Sequence, residues 1–123
     1  MGEIKTDRAP AAIGPYAQAR THGGLLFISG QLPIDPATGQ IPADPVEQMH
    51  QVLRNLSAVA EAAGTDIRKA IKTTVFVTDL SIFKDLNAAY ATAFVAPFPA
   101  RATVQVAALP MGAKVEVEAV VEL

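Results

Sequence analysis

Apolar positions along the chain change spacing several times, and each change predicts an element. From Ala19 to Pro33 two short runs flank Thr21-His22-Gly23-Gly24, a glycine turn of hairpin type. The second run, Leu25-Leu26-Phe27-Ile28-Ser29-Gly30-Gln31, reads as a nearly all-buried strand, and His22 at the turn as solvated. Asp35-Pro36-Ala37-Thr38-Gly39 is turn chemistry, with proline early and glycine late.

The spacing then shifts to three and four. Val46, Met49, Leu53, Leu56, Ala60 and Ala63 form one stripe, while Glu47, Gln51, Arg54 and Glu61 avoid it, which predicts a helix with one face on a sheet. Its start is marked by Asp44 as cap, Pro45 in the first position and Glu47 to complete a capping box; Gly64 marks its end. Over 69–78, Ile71, Thr73, Val75 and Val77 alternate with Lys72, Thr74, Phe76 and Thr78, the period of a central strand. A second helix capped by Ser81 would align Phe83, Leu86, Tyr90 and Phe94 before Pro97 and Pro99 stop it, with Asn87 as its odd residue. Two final strands are expected at 101–108 and 114–123, with Pro110 and Gly112 between them. The sum is an α/β sandwich with both helices on one face of a mixed sheet.

Composition narrows what such a fold can do. A chain of 123 residues fits a single domain spanning 1–123, and half of its residues are hydrophobic although no run is long enough to cross a bilayer. A sheet covered on one side only leaves an apolar face that subunit contacts would bury, so a homo-oligomer is expected. A net charge of −2 with scattered Lys and Arg provides no footprint for nucleic acid or an anionic membrane. The absence of cysteine excludes disulfides and thiol catalysis, and His22 and His50 make no convincing zinc site, so no metal is implied. No apolar signal segment leads the chain, which makes the cytoplasm the expected compartment. Phosphate-loop, Gly-x-Ser-x-Gly and His-Glu-x-x-His motifs do not occur.

Two charged residues interrupt the apolar strands of the last quarter. Arg101, just after Pro99-Ala100, presents a planar fork suited to a carboxylate or to an interface salt bridge. Glu116 lies on the opposite side of its strand from Val115 and Val117; it belongs either to a solvated acidic face or, if an oligomer buries that face, to a site that needs it. A plain hairpin would set Arg101 opposite Glu122 and leave Glu116 six residues away, roughly 20 Å. Either these strands are not simple hairpin neighbours or the pocket gathers residues from different chains; an intersubunit pocket is the favoured reading.

Ile13-Gly14-Pro15-Tyr16-Ala17-Gln18, Ser29-Gly30-Gln31, Asn87, Pro99-Ala100-Arg101, Leu109-Pro110 and Val115-Glu116-Val117-Glu118 together closely resemble the Rid family of RidA-like enamine/imine deaminases, over nearly the whole chain. The resemblance implies a chorismate-mutase-like α+β fold, a homotrimer, and intersubunit clefts that hydrolyse short 2-imino acids such as 2-iminopropanoate and 2-iminobutanoate to 2-oxo acids and ammonia, with no cofactor. It further implies that Arg101 holds the substrate carboxylate, Tyr16 closes and orients the pocket, and Glu116 positions or activates water. Ser29, Gly30 and Asn87 match further pocket positions, although strand-end packing and helix-to-loop bonding account for them equally well. Two departures bear on side-chain preference more than on reaction type: Thr103 stands where many relatives have cysteine, and the segment 94–99 is short.

The resemblance also admits a non-catalytic role, sensing carboxylates or binding and regulating partners in the same cleft. The acidic balance and missing basic groove argue against a ribonuclease or translation inhibitor. A chorismate mutase would need more than the one arginine of this motif for a dicarboxylate, and fold alone does not decide between them.

Overall fold

Alternating apolar residues build a six-stranded mixed sheet that carries both helices on one face. In the computed structural model, which describes residues 2–123, the strands are β1 (Glu3–Ile4), β2 (Ala19–His22), β3 (Leu25–Gln31), β4 (Ala70–Val77), β5 (Ala100–Gln105) and β6 (Val115–Glu122). The helices are α1 (Pro45–Ala62) and α2 (Phe83–Ala91). Strand order is β1-β2-β3-β6-β4-β5; β4 and β5 run parallel and every other neighbouring pair is antiparallel.

Period-two patterning decides which side of each strand is dry. Thr73, Val75 and Val77 of β4 and Val115, Val117, Ala119 and Val121 of β6 are buried against Met49, Val52, Leu56 and Val59 of α1 and Leu86 and Tyr90 of α2. Their alternates, among them Lys72, Glu116, Glu118 and Val120, lie on the face that carries no helix. Phe27 belongs there too, 44% exposed, so β3 is not the nearly all-buried strand expected: Leu26 and Ile28 are covered, and its other face is open.

The start and stop signals of α1 act as their chemistry dictates. The Asp44 Oδ2 accepts from the Glu47 amide at 3.1 Å. At the other end the amides of Gly64 and Thr65 donate to the carbonyls of Glu61 and Ala60, a Schellman closure that Gly64 permits at φ +83°. Gln51 was expected on the polar face and is buried instead. With Gln48 and Asn55 it forms a line of amides at spacings of three and four that binds loop backbone: Gln48 Oε1 accepts from the Lys114 amide, Asn55 Nδ2 donates to the carbonyls of Leu32 and Ile34, and Gln51 Nε2 donates to Asn55 Oδ1. Gln48 and Asn55 satisfy backbone groups that would otherwise be stranded near the core, and Gln51 is satisfied in turn by Asn55.

Other boundaries differ for local reasons. Asp79, not Ser81, caps the approach to α2, accepting from the Ser81 amide and hydroxyl above a short 3-10 turn at Leu80–Ile82. A register shift between Ala70 and Lys72 turns Ile71 outward, 42% exposed. The strand expected at 101–108 ends at Gln105. Most consequentially, β5 and β6 are not hairpin partners, because β4 lies between them.

The segment ahead of β2 is held by one buried amide. Gln18 accepts from the Thr6 amide at 2.7 Å and donates to the carbonyls of Thr6 at 3.0 Å and Pro10 at 2.8 Å. Gln18→Leu should release this segment, accelerating hydrogen exchange at the Thr6 amide and proteolysis within 6–16 while the amides of β4 and β6 keep their protection. Unchanged exchange at Thr6 would show that the segment is held by other contacts.

Candidate functional site

The residues singled out by sequence fall into two groups on opposite faces of the sheet. Arg101 pairs in register with Thr73 and Glu116 with Phe76, three positions further along β4. Three residues of rise and two strand spacings put their Cα atoms about 14 Å apart. An odd offset along one strand also reverses the face, so a chain folded this way cannot bring its own Arg101 and Glu116 onto one small molecule.

The first group gathers on the helix side, at the edge of β5. The Arg101 Nη1 donates to Asn87 Oδ1 at 2.6 Å, and its guanidinium carbon lies 4.9 Å from the ring centre of Tyr90 and 5.2 Å from that of Phe83. Beside it a cavity of about 420 Å³ is lined by Asn87, Tyr90, Ala91, Phe98, Pro99 and Arg101. Among the described residues the ion pairs are Lys5–Glu3, Arg8–Glu61 and Arg68–Asp66, so no carboxylate neutralises Arg101. Thr103 follows two residues later on the same side of β5, and its Oγ1 is buried with no hydrogen-bond partner. Burial raises the Tyr90 hydroxyl pKa, against the opposing hydrogen bond from Thr73 and the charge of Arg101.

The second group gathers across β3 and β6. A side chain at Gly30 would place its Cβ on Glu116 Oε2, so glycine there is the condition for the carboxylate to lie over β3. Glu116 has a raised pKa, first because the carboxyl is partly desolvated and second because Glu118 carries like charge. Gly30 also lines a cavity of about 320 Å³ with Tyr16, Ile13, Gln31 and Met111. Tyr16 is 54% exposed, on the segment held by Gln18. Ser29 is nearby, but its Oγ donates to the Ala17 carbonyl at 2.6 Å, which ties β3 to the residue after Tyr16.

Thus Arg101, Asn87 and Thr103 share one edge of the sheet, and Tyr16, Gly30, Glu116 and Ser29 share the other site. Sequence reasoning missed the surroundings of Arg101: Phe83 and Tyr90 were legible only as part of a core stripe, and Thr73 as one strand residue among several.

The sequence model of a family described as endoribonuclease L-PSP matches residues 6–123. The RutC family protein y4sK of Sinorhizobium fredii is 59% identical over 121 residues, covering 98% of this chain and 96% of that protein. The 2-iminobutanoate/2-iminopropanoate deaminase of Escherichia coli is 48% identical over 120 residues, covering 95% and 94%. Among solved structures, RidA from an Antarctic Psychrobacter superposes with a TM-score of 0.96 at 44% identity over all of both chains. TdcF of Escherichia coli with bound serine superposes with a TM-score of 0.94 at 42% identity, covering 100% and 99%.

Proposed function

The chain belongs to the Rid family, and from that premise we propose that it hydrolyses short 2-imino acids, such as 2-iminopropanoate and 2-iminobutanoate, to 2-oxo acids and ammonia. The observation that carries this reading is the charge of Arg101, which no carboxylate of the described chain neutralises and which borders an open cavity. A planar fork in that state suits the carboxylate common to these substrates.

The separation of the two groups shapes the rest of the proposal. Arg101 of one copy meets Glu116, Tyr16 and Gly30 of the next, a head-to-tail contact that closes into a ring rather than an isologous pair. The free edge of β5 and the open face bearing Phe27 and Val104 are the surfaces such a contact would cover. A homotrimer of 12.9 kDa chains is the proposed assembly, with one site per interface.

In the reaction, the arginine holds the carboxylate and so fixes the adjacent imine carbon, with Asn87 steadying the arginine and Tyr16 closing the cleft. The Thr103 hydroxyl, otherwise without a partner, gains one in the bound carboxylate or imine. Ser29 keeps Tyr16 in place through Ala17. Glu116 takes a proton from water as its oxygen bonds to the imine carbon, and the C=N electron pair moves to nitrogen. Return of that proton to the nitrogen gives the carbinolamine. Transfer of its hydroxyl proton, through Glu116, to the same nitrogen lets the oxygen electron pair form the carbonyl as the C–N bond breaks and ammonia leaves. The raised pKa of Glu116 suits a carboxyl that must both accept and return a proton.

The direct test follows the decay of freshly generated 2-iminopropanoate and 2-iminobutanoate with and without the protein, corrected for spontaneous hydrolysis. Accelerated decay with release of ammonia supports the enzyme. A folded trimer that binds 2-oxo acids without accelerating decay would make it a carboxylate sensor or regulatory binding protein instead.

Gly30→Ala should be the sharpest small substitution. The added methyl displaces the Glu116 carboxylate, so kcat should fall at least about tenfold, and overpacking of 1–3 kcal/mol should lower Tm by several degrees. Full activity in this variant, measured beside its melting curve, would remove Glu116 in its present position from the mechanism.

A further inference from the structure

Arginines placed to receive a carboxylate face a conflict. A neighbouring carboxylate would hold the side chain still, yet it would also neutralise the charge and compete for the same donors. The surroundings of Arg101 avoid this, because every group found against its guanidinium is neutral: the Asn87 amide oxygen at 2.6 Å, the Tyr90 ring at 4.9 Å and the Phe83 ring at 5.2 Å. Aromatic faces attract a cation through their quadrupole without accepting its hydrogen bonds, and Asn87 takes one Nη1–H of the five available.

The plates themselves are anchored from below. The Tyr90 hydroxyl shares a 2.7 Å hydrogen bond with Oγ1 of Thr73, which is fully buried on β4 in register with Arg101. Tyr90 also packs against Phe94, with ring centres 4.5 Å apart. A polar contact this deep is unnecessary for packing, since phenylalanine and valine would fill the same space with no donor to satisfy. What the bond adds is a fixed ring position beneath the guanidinium.

We propose that Tyr90, locked by Thr73, and Phe83 are positioning residues that hold Arg101 between neutral aromatic faces, so that its full charge and free donors meet the ligand carboxylate. This rests on the carboxylate-binding role assigned to Arg101 above. It predicts that loosening either plate weakens binding of any 2-oxo or 2-imino acid to a similar degree, whatever its side chain, and raises KM more than it lowers kcat.

The test uses the assembled protein and 2-oxobutanoate as probe. Calorimetry would give its Kd for wild type, Tyr90→Phe and Phe83→Leu, with the resonance of the Arg101 Nε–H followed by NMR. Assembly mass and Tm would be recorded alongside. The expected result is a Kd about 3-fold weaker for Tyr90→Phe and roughly 3- to 10-fold weaker for Phe83→Leu, the scale of a cation–π contact, with the Nε–H resonance moving downfield as ring-current shielding is lost. Wild-type Kd and resonance in both variants would overturn the proposal, as would wild type that binds no 2-oxobutanoate. Failure of the deaminase reading is separately visible: weakened binding in the variants together with no imine hydrolysis by wild type would leave the clamp standing and remove the reaction.

Discussion

Arg101→Ala is expected to lower kcat/KM for short 2-imino acids by roughly 30-fold to several thousand-fold while leaving the assembly mass unchanged. Removing one partner of a hydrogen-bonded charge pair that the bound complex encloses costs about 2–5 kcal/mol, and that cost is the origin of the range. Nothing comparable is lost by the free protein. Arg101 and Asn87 are both exposed, so truncation returns the Asn87 amide to water rather than burying it unpaired. Arg101→Lys separates charge from shape, because it keeps the cation and loses the planar fork, and should recover only a minor part of the activity. The check is steady-state hydrolysis beside the mass in solution; wild-type turnover by the alanine variant at wild-type mass would remove the arginine clamp.

Glu116→Gln should lower kcat by about 10²–10⁴-fold with a smaller change in KM, the scale of general acid–base assistance. The amide nearly reproduces the shape over Gly30, so loss of activity reports loss of the proton acceptor. The pH profile sharpens the assignment. A base works only when deprotonated, and burial together with Glu118 pushes the Glu116 pKa up, so kcat should fall on the acid side at a pH above the ordinary carboxylate range. Glu118→Gln removes the like charge and should move that limb to lower pH; the movement is partial because desolvation, the larger cause, remains. An acid limb that persists unchanged in Glu116→Gln would assign the base to another group.

The two predictions bear on opposite faces of one sheet, and this explains why the candidate site was half legible in the sequence. Arg101 and Glu116 stood out as lone charges in apolar strands, and their types suggested their chemistry. A plain hairpin would leave them roughly 20 Å apart. Of the two alternatives this raised, the fold shows that the strands are not hairpin neighbours, since β4, drawn from earlier in the chain, separates β5 from β6. Phe83 and Tyr90 were read as core because a helical stripe records only that a face is covered. It does not record that a guanidinium from β5 does part of the covering.

Local chemistry decided the elements. Asp44, Pro45 and Gly64 set the ends of α1, the glycine pair after His22 set the hairpin, and period-two runs set which faces of β4 and β6 are dry, because capping, φ preference and side-chain alternation act within a few residues. Family membership was legible for a related reason, since the short motifs that carry the resemblance are each contiguous in the chain. Only the tertiary structure decided strand order, the loop carbonyls that Asn55 binds beside the buried Gln51, the methyl-sized space at Gly30 filled by Glu116, and the neutral bed of Arg101. Each of these depends on contacts between segments distant in sequence, where position is set by the packing of the whole core rather than by any window of the chain.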